Sequence, residues 1–211
     1  MQTKKGQSIE DASMKMIEDE IGPHNYNKKE WPIVRRIIHS TADFDFADKN
    51  RLIFQKDAIE SGMNALKNGC SIVVDVNGVI GGLNKQNPKD FGNNLICNIS
   101  DPSLMESAKK AGKTRAQMSM RVAEKEIDGG VVVVGNAPTA LLEVMEMVRE
   151  GLVKPALVVG IPVGFVSAVE SKDELSKTDI PFITNIGRKG GSPCASAIIN
   201  ALYKLLRQGI N

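Results

Sequence analysis

The run Val131-Val132-Val133-Val134 constrains this chain more than any other stretch. Four consecutive apolar, β-branched residues suit a strand covered on both faces, and such a strand belongs inside a parallel sheet. From residue 69 onward one phrase repeats around it: a short β-branched run, a loop bearing Gly or Asn, then a stretch of helical period. Ser71–Asp75, Leu95–Ile99, Ala156–Gly160 and Pro181–Asn185 read as its companion strands. Strands alternating with helices predict an α/β fold, a three-layer doubly wound sandwich on a mainly parallel sheet of about five or six strands. Ligands are then expected beyond the carboxyl ends of the strands.

The segment before residue 69 reads as helices feeding that sheet. Ile9, Ala12, Ser13, Met16, Ile17 and Ile21 have the spacing of one helical face, with Ser13 as its polar interruption, either solvated at the core edge or functional. A second helix is predicted over about Lys28 to His39, with Pro32 in its first turn, and a third over Asp57–Asn68, stopped by Gly69. The alternation Asp43-Phe44-Asp45-Phe46 reads as an extended segment with its carboxylates facing water rather than as a metal site. No linker, low-complexity tract or solenoid repeat interrupts the chain, so residues 1–211 are expected to form a single domain.

The balance of 27 Lys+Arg against 25 Asp+Glu leaves a net charge of only +2, which argues against a nucleic-acid partner held by bulk charge. No apolar run approaches the ~20 residues of a membrane helix, and Met1-Gln2-Thr3-Lys4-Lys5-Gly6 opens a polar helix rather than a signal core, so a cytoplasmic protein without membrane association is expected. Cys70, Cys97 and Cys194 are far apart with no CxxC spacing, as suits reduced thiols. With only His24 and His39 present, a His-rich metal site is excluded.

Three strand-to-helix loops are the places for chemistry. Gly135-Asn136-Ala137-Pro138-Thr139 opens a helix whose first N–H groups point above the sheet, which leaves two readings: an anion site or a bare tight turn. It lacks the GxxxxGK[ST] and GxGxxG patterns of nucleotide binders. Gly160-Ile161-Pro162-Val163-Gly164-Phe165 is a rigid apolar rim, suited to a flat apolar ligand or to simple packing. Gly187-Arg188-Lys189-Gly190-Gly191-Ser192-Pro193 sets two cations among three glycines before the last helix, and carboxylates or phosphates are its expected guests. Cys194, in the first turn of that helix, is read as a packed thiol, because a Cys-based enzyme needs a base beside it.

His39 ends its helix one turn after Arg36, on the same face. It is the general acid of the usual type that this sequence offers, since imidazole titrates near neutrality; the alternative is a histidine that merely satisfies the helix C-terminus.

Four long segments together resemble the precorrin-8X methylmutase family, also called cobalt-precorrin-8 methylmutase, of corrin-ring biosynthesis. They are Ile37–Ala47 (Ile-Ile-His-Ser-Thr-Ala-Asp-Phe-Asp-Phe-Ala), Gly135–Leu141, Pro162–Lys172 and Gly187–Ser192, in the family's order and at about its spacing. The resemblance runs nearly end to end and implies an isomerase that moves a methyl group from C-11 to C-12 of precorrin-8X or cobalt-precorrin-8. The product would be hydrogenobyrinate or cobyrinate, with no cofactor and no protein-bound metal. It places the catalytic histidine at His39. By the same analogy Ser13, Arg36, Thr41, Arg115, Asn136, Thr139, Lys172, Arg188, Gly190 and Gly191 would bind the carboxylated ring. A homodimer is implied as well. Gly78 stands where the family usually carries methionine, and Ser13-Met14 where Ser-Phe is common. Two other classes stand beside this one: a tetrapyrrole-binding or carrier protein of the same fold without catalysis, and a hydrolase built on Cys194 or Ser192.

Overall fold

All four valines are buried, and their strand lies inside the sheet, as the β-branched run requires. The structure is a computed structural model, which describes residues 3–48 and 51–210. Met1 and Gln2 of the expected polar leader lie outside the described residues.

The strands are β1 (Leu52–Phe54), β2 (Ile72–Val74), β3 (Leu95–Ile96), β4 (Val131–Val134), β5 (Leu157–Gly160) and β6 (Phe182–Asn185), in the sheet order β1-β6-β5-β4-β2-β3. The five expected strands are parallel neighbours; Val73 pairs with Val132, for example, and Val132 with Val158. The sixth, β1, was not among them. It runs antiparallel along β6, Leu52 opposite Asn185 and Ile53 opposite Thr184.

The helices are α1 (Lys4–Ile21), α2 (Glu30–Thr41), α3 (Ala58–Lys67), α4 (Asn77–Gly82), α5 (Gln86–Phe91), α6 (Ser103–Ala111), α7 (Arg115–Arg121), α8 (Glu124–Ile127), α9 (Pro138–Arg149), α10 (Ala168–Leu175) and α11 (Ser192–Gln208). Two apolar cores, one on each face of the sheet, make the three layers. One gathers Ile37, Ile38, Leu66, Val133, Ile198 and Leu202 from α2, α3, β4 and α11; the other gathers Met120, Val132, Leu141 and Leu175 from α7, β4, α9 and α10. Within the described residues no helix is long and apolar enough to cross a membrane.

Two expectations need correction. The packed stripe of α1 is Met14, Ile17 and Ile21, while Ile9 and Met16 are 60% and 70% exposed. They project about a third of a turn away from α2, the helix against which α1 packs. The Asp-Phe-Asp-Phe segment is not extended either: Phe44–Ala47 is a 3-10 turn, started by Asp43, whose side chain accepts from the Asp45 N–H. Phe46 is buried beneath it, and that burial drives the turn inward.

Candidate functional site

Asp75, buried just past β2, sends its carboxylate across to the loop that follows β4. Its Oδ1 accepts from the Gly135 N–H at 3.0 Å, and its Oδ2 from the Asn136 and Ala137 N–H groups at 2.7 Å each. Of the two readings of the Gly135–Thr139 loop, the anion is thus present, and the chain itself supplies it. Burial pushes the Asp75 carboxyl up, against the pull of those three donors. The Asn136 side chain stays exposed, and Thr139 accepts a 3.1 Å hydrogen bond from the hydroxyl of Thr114, the N-cap of the helix that Arg115 begins.

The other two loops are tied to each other before α11, and the Val163 N–H reaches back to the Gly135 carbonyl at 3.4 Å. The Gly191 N–H donates to the Ile161 carbonyl at 2.9 Å, and the Gly164 N–H to the Arg188 carbonyl at 3.2 Å. Gly190 has φ +149°, and a β-carbon there would collide with the Ile161 carbonyl oxygen. Only glycine fits that crossing. At Gly78 the fit is tight rather than exclusive: a β-carbon would lie 3.0 Å from Ser192 Oγ, a side-chain atom.

Lys172 is buried beneath the Gly187–Gly191 loop rather than on its outer face. Its ammonium donates to the Lys189 carbonyl at 2.9 Å and to Asn185 Oδ1 at 3.2 Å, and the Asn185 amide donates to the same Lys189 carbonyl at 2.8 Å. Burial lowers the Lys172 pKa to about 8. The Lys189 side chain leaves the loop for Asp43 and Asp45, so of the two cations in the motif Arg188 is the one that faces outward, its guanidinium 5.4 Å from the centre of the Phe165 ring.

His39 is exposed in the last turn of α2. Ala42 ends the helix in the left-handed conformation, φ +54°, with its N–H on the Ile38 carbonyl at 2.7 Å. The Thr41 hydroxyl donates to the Ile37 carbonyl at 2.8 Å and accepts from the Asp43 N–H at 3.2 Å. Ser40 Oγ lies 3.3 Å from the Pro193 carbonyl, which brings this helix end to the start of α11. Arg36 pairs with Glu10 of α1 at 2.9 Å, and Lys204 of α11 lies 3.7 Å from the same carboxylate. Partial burial lowers the His39 pKa below its ordinary 6.5; Arg36 and Lys204 push the same way and Glu10 opposes them. Ser13 is half-buried, with its hydroxyl donating back to the Ile9 carbonyl at 3.0 Å.

The candidates fall into three groups. Ser13, Arg36, His39 and Thr41 belong to α1 and α2, on the layer that α11 shares. Arg115 and Thr139 belong to α7 and α9, on the opposite layer. Asn136, Arg188, Gly190 and Gly191 lie on the loops at the carboxyl ends of β4 and β6, and Lys172 lies under the second of them. Sequence reasoning missed the roles of Asp75, Lys189, Glu10 and Lys204; only Asp75, an acid directly after a strand, left a local signal. A larger cleft of about 810 Å³ contains none of the candidates and lies at the opposite ends of the strands, around Val153–Pro155 and Thr178–Pro181.

Cys194 is buried, and desolvation pushes its thiol up to about 12, so it is no nucleophile at neutral pH. The hydrolase reading loses its thiol on that ground.

Rigid glycine-bearing loops over a parallel sheet, an outward arginine and an exposed imidazole define a class: a doubly wound α/β protein with polar, loop-built surface beyond the carboxyl ends of its strands. Known proteins narrow the class. The family described as precorrin-8X methylmutase matches residues 8–205. A cobalt-precorrin-8 methylmutase from Priestia megaterium is 49% identical, over 99% of this chain and 92% of that protein. A precorrin-8X methylmutase from Sinorhizobium is 34% identical, over 94% of each. The crystal structure of a precorrin-8X methylmutase from Thermus thermophilus superposes with a TM-score of 0.85 at 39% identity, covering 96% of this chain and 98% of that one. This chain belongs to the precorrin-8X methylmutase family, isomerases of cobalamin biosynthesis.

Proposed function

We propose that this protein moves a methyl group from C-11 to C-12 of precorrin-8X or cobalt-precorrin-8, giving hydrogenobyrinate or cobyrinate. The observation that carries the reading is 49% identity to a cobalt-precorrin-8 methylmutase over nearly the whole chain. That protein, and the one from Leptospira interrogans at 47%, are named for the cobalt-containing ring, which favours cobalt-precorrin-8 as the substrate. The carbon–methyl bond at C-11 breaks as the one at C-12 forms, and the ring double bonds shift to match. Nothing enters or leaves, so the chain needs a held geometry and a hydrogen-bond donor rather than a nucleophile, cofactor or metal. His39, its pKa lowered, is largely neutral near pH 7 and offers an N–H to the macrocycle, favouring the migrated isomer. Arg188 and Arg36 face the carboxylate arms from two sides, and Arg115, Asn136, Thr139, Gly190 and Gly191 complete the walls, with Ser13 and Thr41 supporting the helix ends near His39.

The same reading makes the protein a cytoplasmic homodimer. Phe165 and Val166, each 82% exposed beside Arg188, suit burial against a second subunit. Elution at a monomer volume on gel filtration would exclude the dimer.

Titration with cobyrinic acid and hydrogenobyrinic acid, followed by the visible bands of the ring, tests the function. A saturable, near-stoichiometric shift is expected, tighter for the cobalt-containing ring. A ring that binds but is never formed from its precursor would favour the carrier reading, and no shift with either ring would defeat both.

A further inference from the structure

A cleft of about 480 Å³ opens between α1, the end of α4 and the outer face of α11, lined by Gln7, Glu10, Arg36, Asn84, Asn200 and Lys204. Its walls are prepared for an anion. Asn200 fixes the Asn84 backbone, accepting from its N–H at 3.0 Å and donating to the Gly82 carbonyl at 2.9 Å. Glu10 is shared between Arg36 and Lys204, so two cations of this wall converge on one carboxylate oxygen. Arg207, at the far rim, is engaged by Asp90 and Asn87. His39 sits one helical turn from Arg36 on the same face of α2.

We propose that this cleft is a subsite for one carboxylate arm of the tetrapyrrole, held by Lys204 together with Arg36, and that its occupancy is sensed by His39. The proposal rests on the functional reading above and adds to it Lys204, Gln7 and the cleft itself. The charges that act on the imidazole are those of the cleft: Arg36 from α2, Lys204 from α11 and Glu10 from α1. An arriving carboxylate offsets the two cations, so the imidazole holds a proton more readily with the arm in place than without it.

Cobyrinic acid binding to the full-length protein, read by visible absorption, tests the subsite. Lys204→Gln should weaken binding about tenfold, the loss expected for one charge-assisted contact. Gln7→Glu, on the exposed face of α1, should weaken it in the same direction and Gln7→Lys should tighten it, without touching a buried group. Lys125→Gln, on the distant helix α8, should bind as wild type. In parallel, the imidazole proton signals of the two histidines give the His39 titration, which should move upward when cobyrinic acid binds. Equal affinity across Lys204→Gln, Gln7→Glu and Gln7→Lys, or an unmoved His39 titration, would overturn the subsite while leaving the methylmutase reading intact. A wild-type protein that binds no corrinoid would defeat the underlying reading instead.

Discussion

The Lys189 ammonium lies 2.7 Å from Asp43 Oδ2 and 2.6 Å from Asp45 Oδ2. One side chain from the loop after β6 thus clasps the segment by which the chain leaves α2, four residues beyond His39. The two carboxylates raise the Lys189 pKa, and Lys189 holds Asp45 below the usual carboxylate range. The backbone of the same residue is gripped from below by Lys172 and Asn185.

Releasing the clasp should loosen catalysis more than folding, because exposed ion pairs contribute little stability while small misplacements of a catalytic group are expensive. Lys189→Met is expected to lower kcat about tenfold with a nearly unchanged melting temperature, and Lys189→Arg to recover most of the loss. Steady-state kinetics of the two variants check this; wild-type kcat in Lys189→Met would leave the clasp without a positioning role.

His39→Ala should cost about 10²–10⁴ in turnover and little stability, since the side chain is exposed. His39→Gln, which keeps an N–H donor, should retain more activity than Ala. Because the neutral imidazole is the working form and its pKa in the free protein lies below the ordinary 6.5, wild-type kcat/KM should hold down to pH 6.5 and fall only in more acid solution. A decline already centred above pH 6.5 would contradict the assignment.

Asp75→Ala strands three backbone N–H groups that now share one carboxylate. A cost of about 1–3 kcal/mol for each group left unsatisfied bounds the damage from below, so a clear drop in the urea midpoint is expected. Formate or acetate, small enough to enter the vacated nest, should restore part of it. A midpoint that added formate leaves unmoved would show that the carboxylate does not serve those donors.

Lys172 gives a pH signature. Its folded pKa of about 8 lies below the ordinary 10.5, so between those values the unfolded chain binds more protons and stability from this group rises with pH. Lys172→Met removes that contribution, up to about 1.4 kcal/mol per pH unit. Urea unfolding at pH 7.5 and 10 should show wild type gaining on Lys172→Met as pH rises; parallel behaviour would refute the buried, depressed lysine.

What the sequence disclosed follows the range over which its causes act. The five parallel strands were readable because each is a β-branched run, and the site loops because glycine and proline mark them locally. Leu52-Ile53-Phe54 escaped notice because three residues carry no alternation to count, and only β6 makes them a strand. The packed face of α1 is narrower than its apolar spacing implies, because helical period alone does not set the width of the contact with α2. The partners of Asp75 lie 60 to 62 positions away and those of Lys189 lie 144 to 146 away, so nothing near either residue announces them. Lys172 stands in a motif that suggests a ligand contact, yet it faces the loop backbone from beneath.

The place of β6 and α11 has a consequence for how the molecule is made. β6 lies between β1 and β5, and α11, which follows it in the chain, packs on α2, α3 and α4. Until β6 and α11 emerge, β5 has an open edge, β1 has no neighbour and the inner flank of α2 is bare. Such a chain cannot complete this layer before α11 has emerged. Nascent chains stalled before Pro181 should therefore be protease-sensitive across the N-terminal helices, and a truncation that removes α11 should cost the whole layer carrying His39 rather than a single helix.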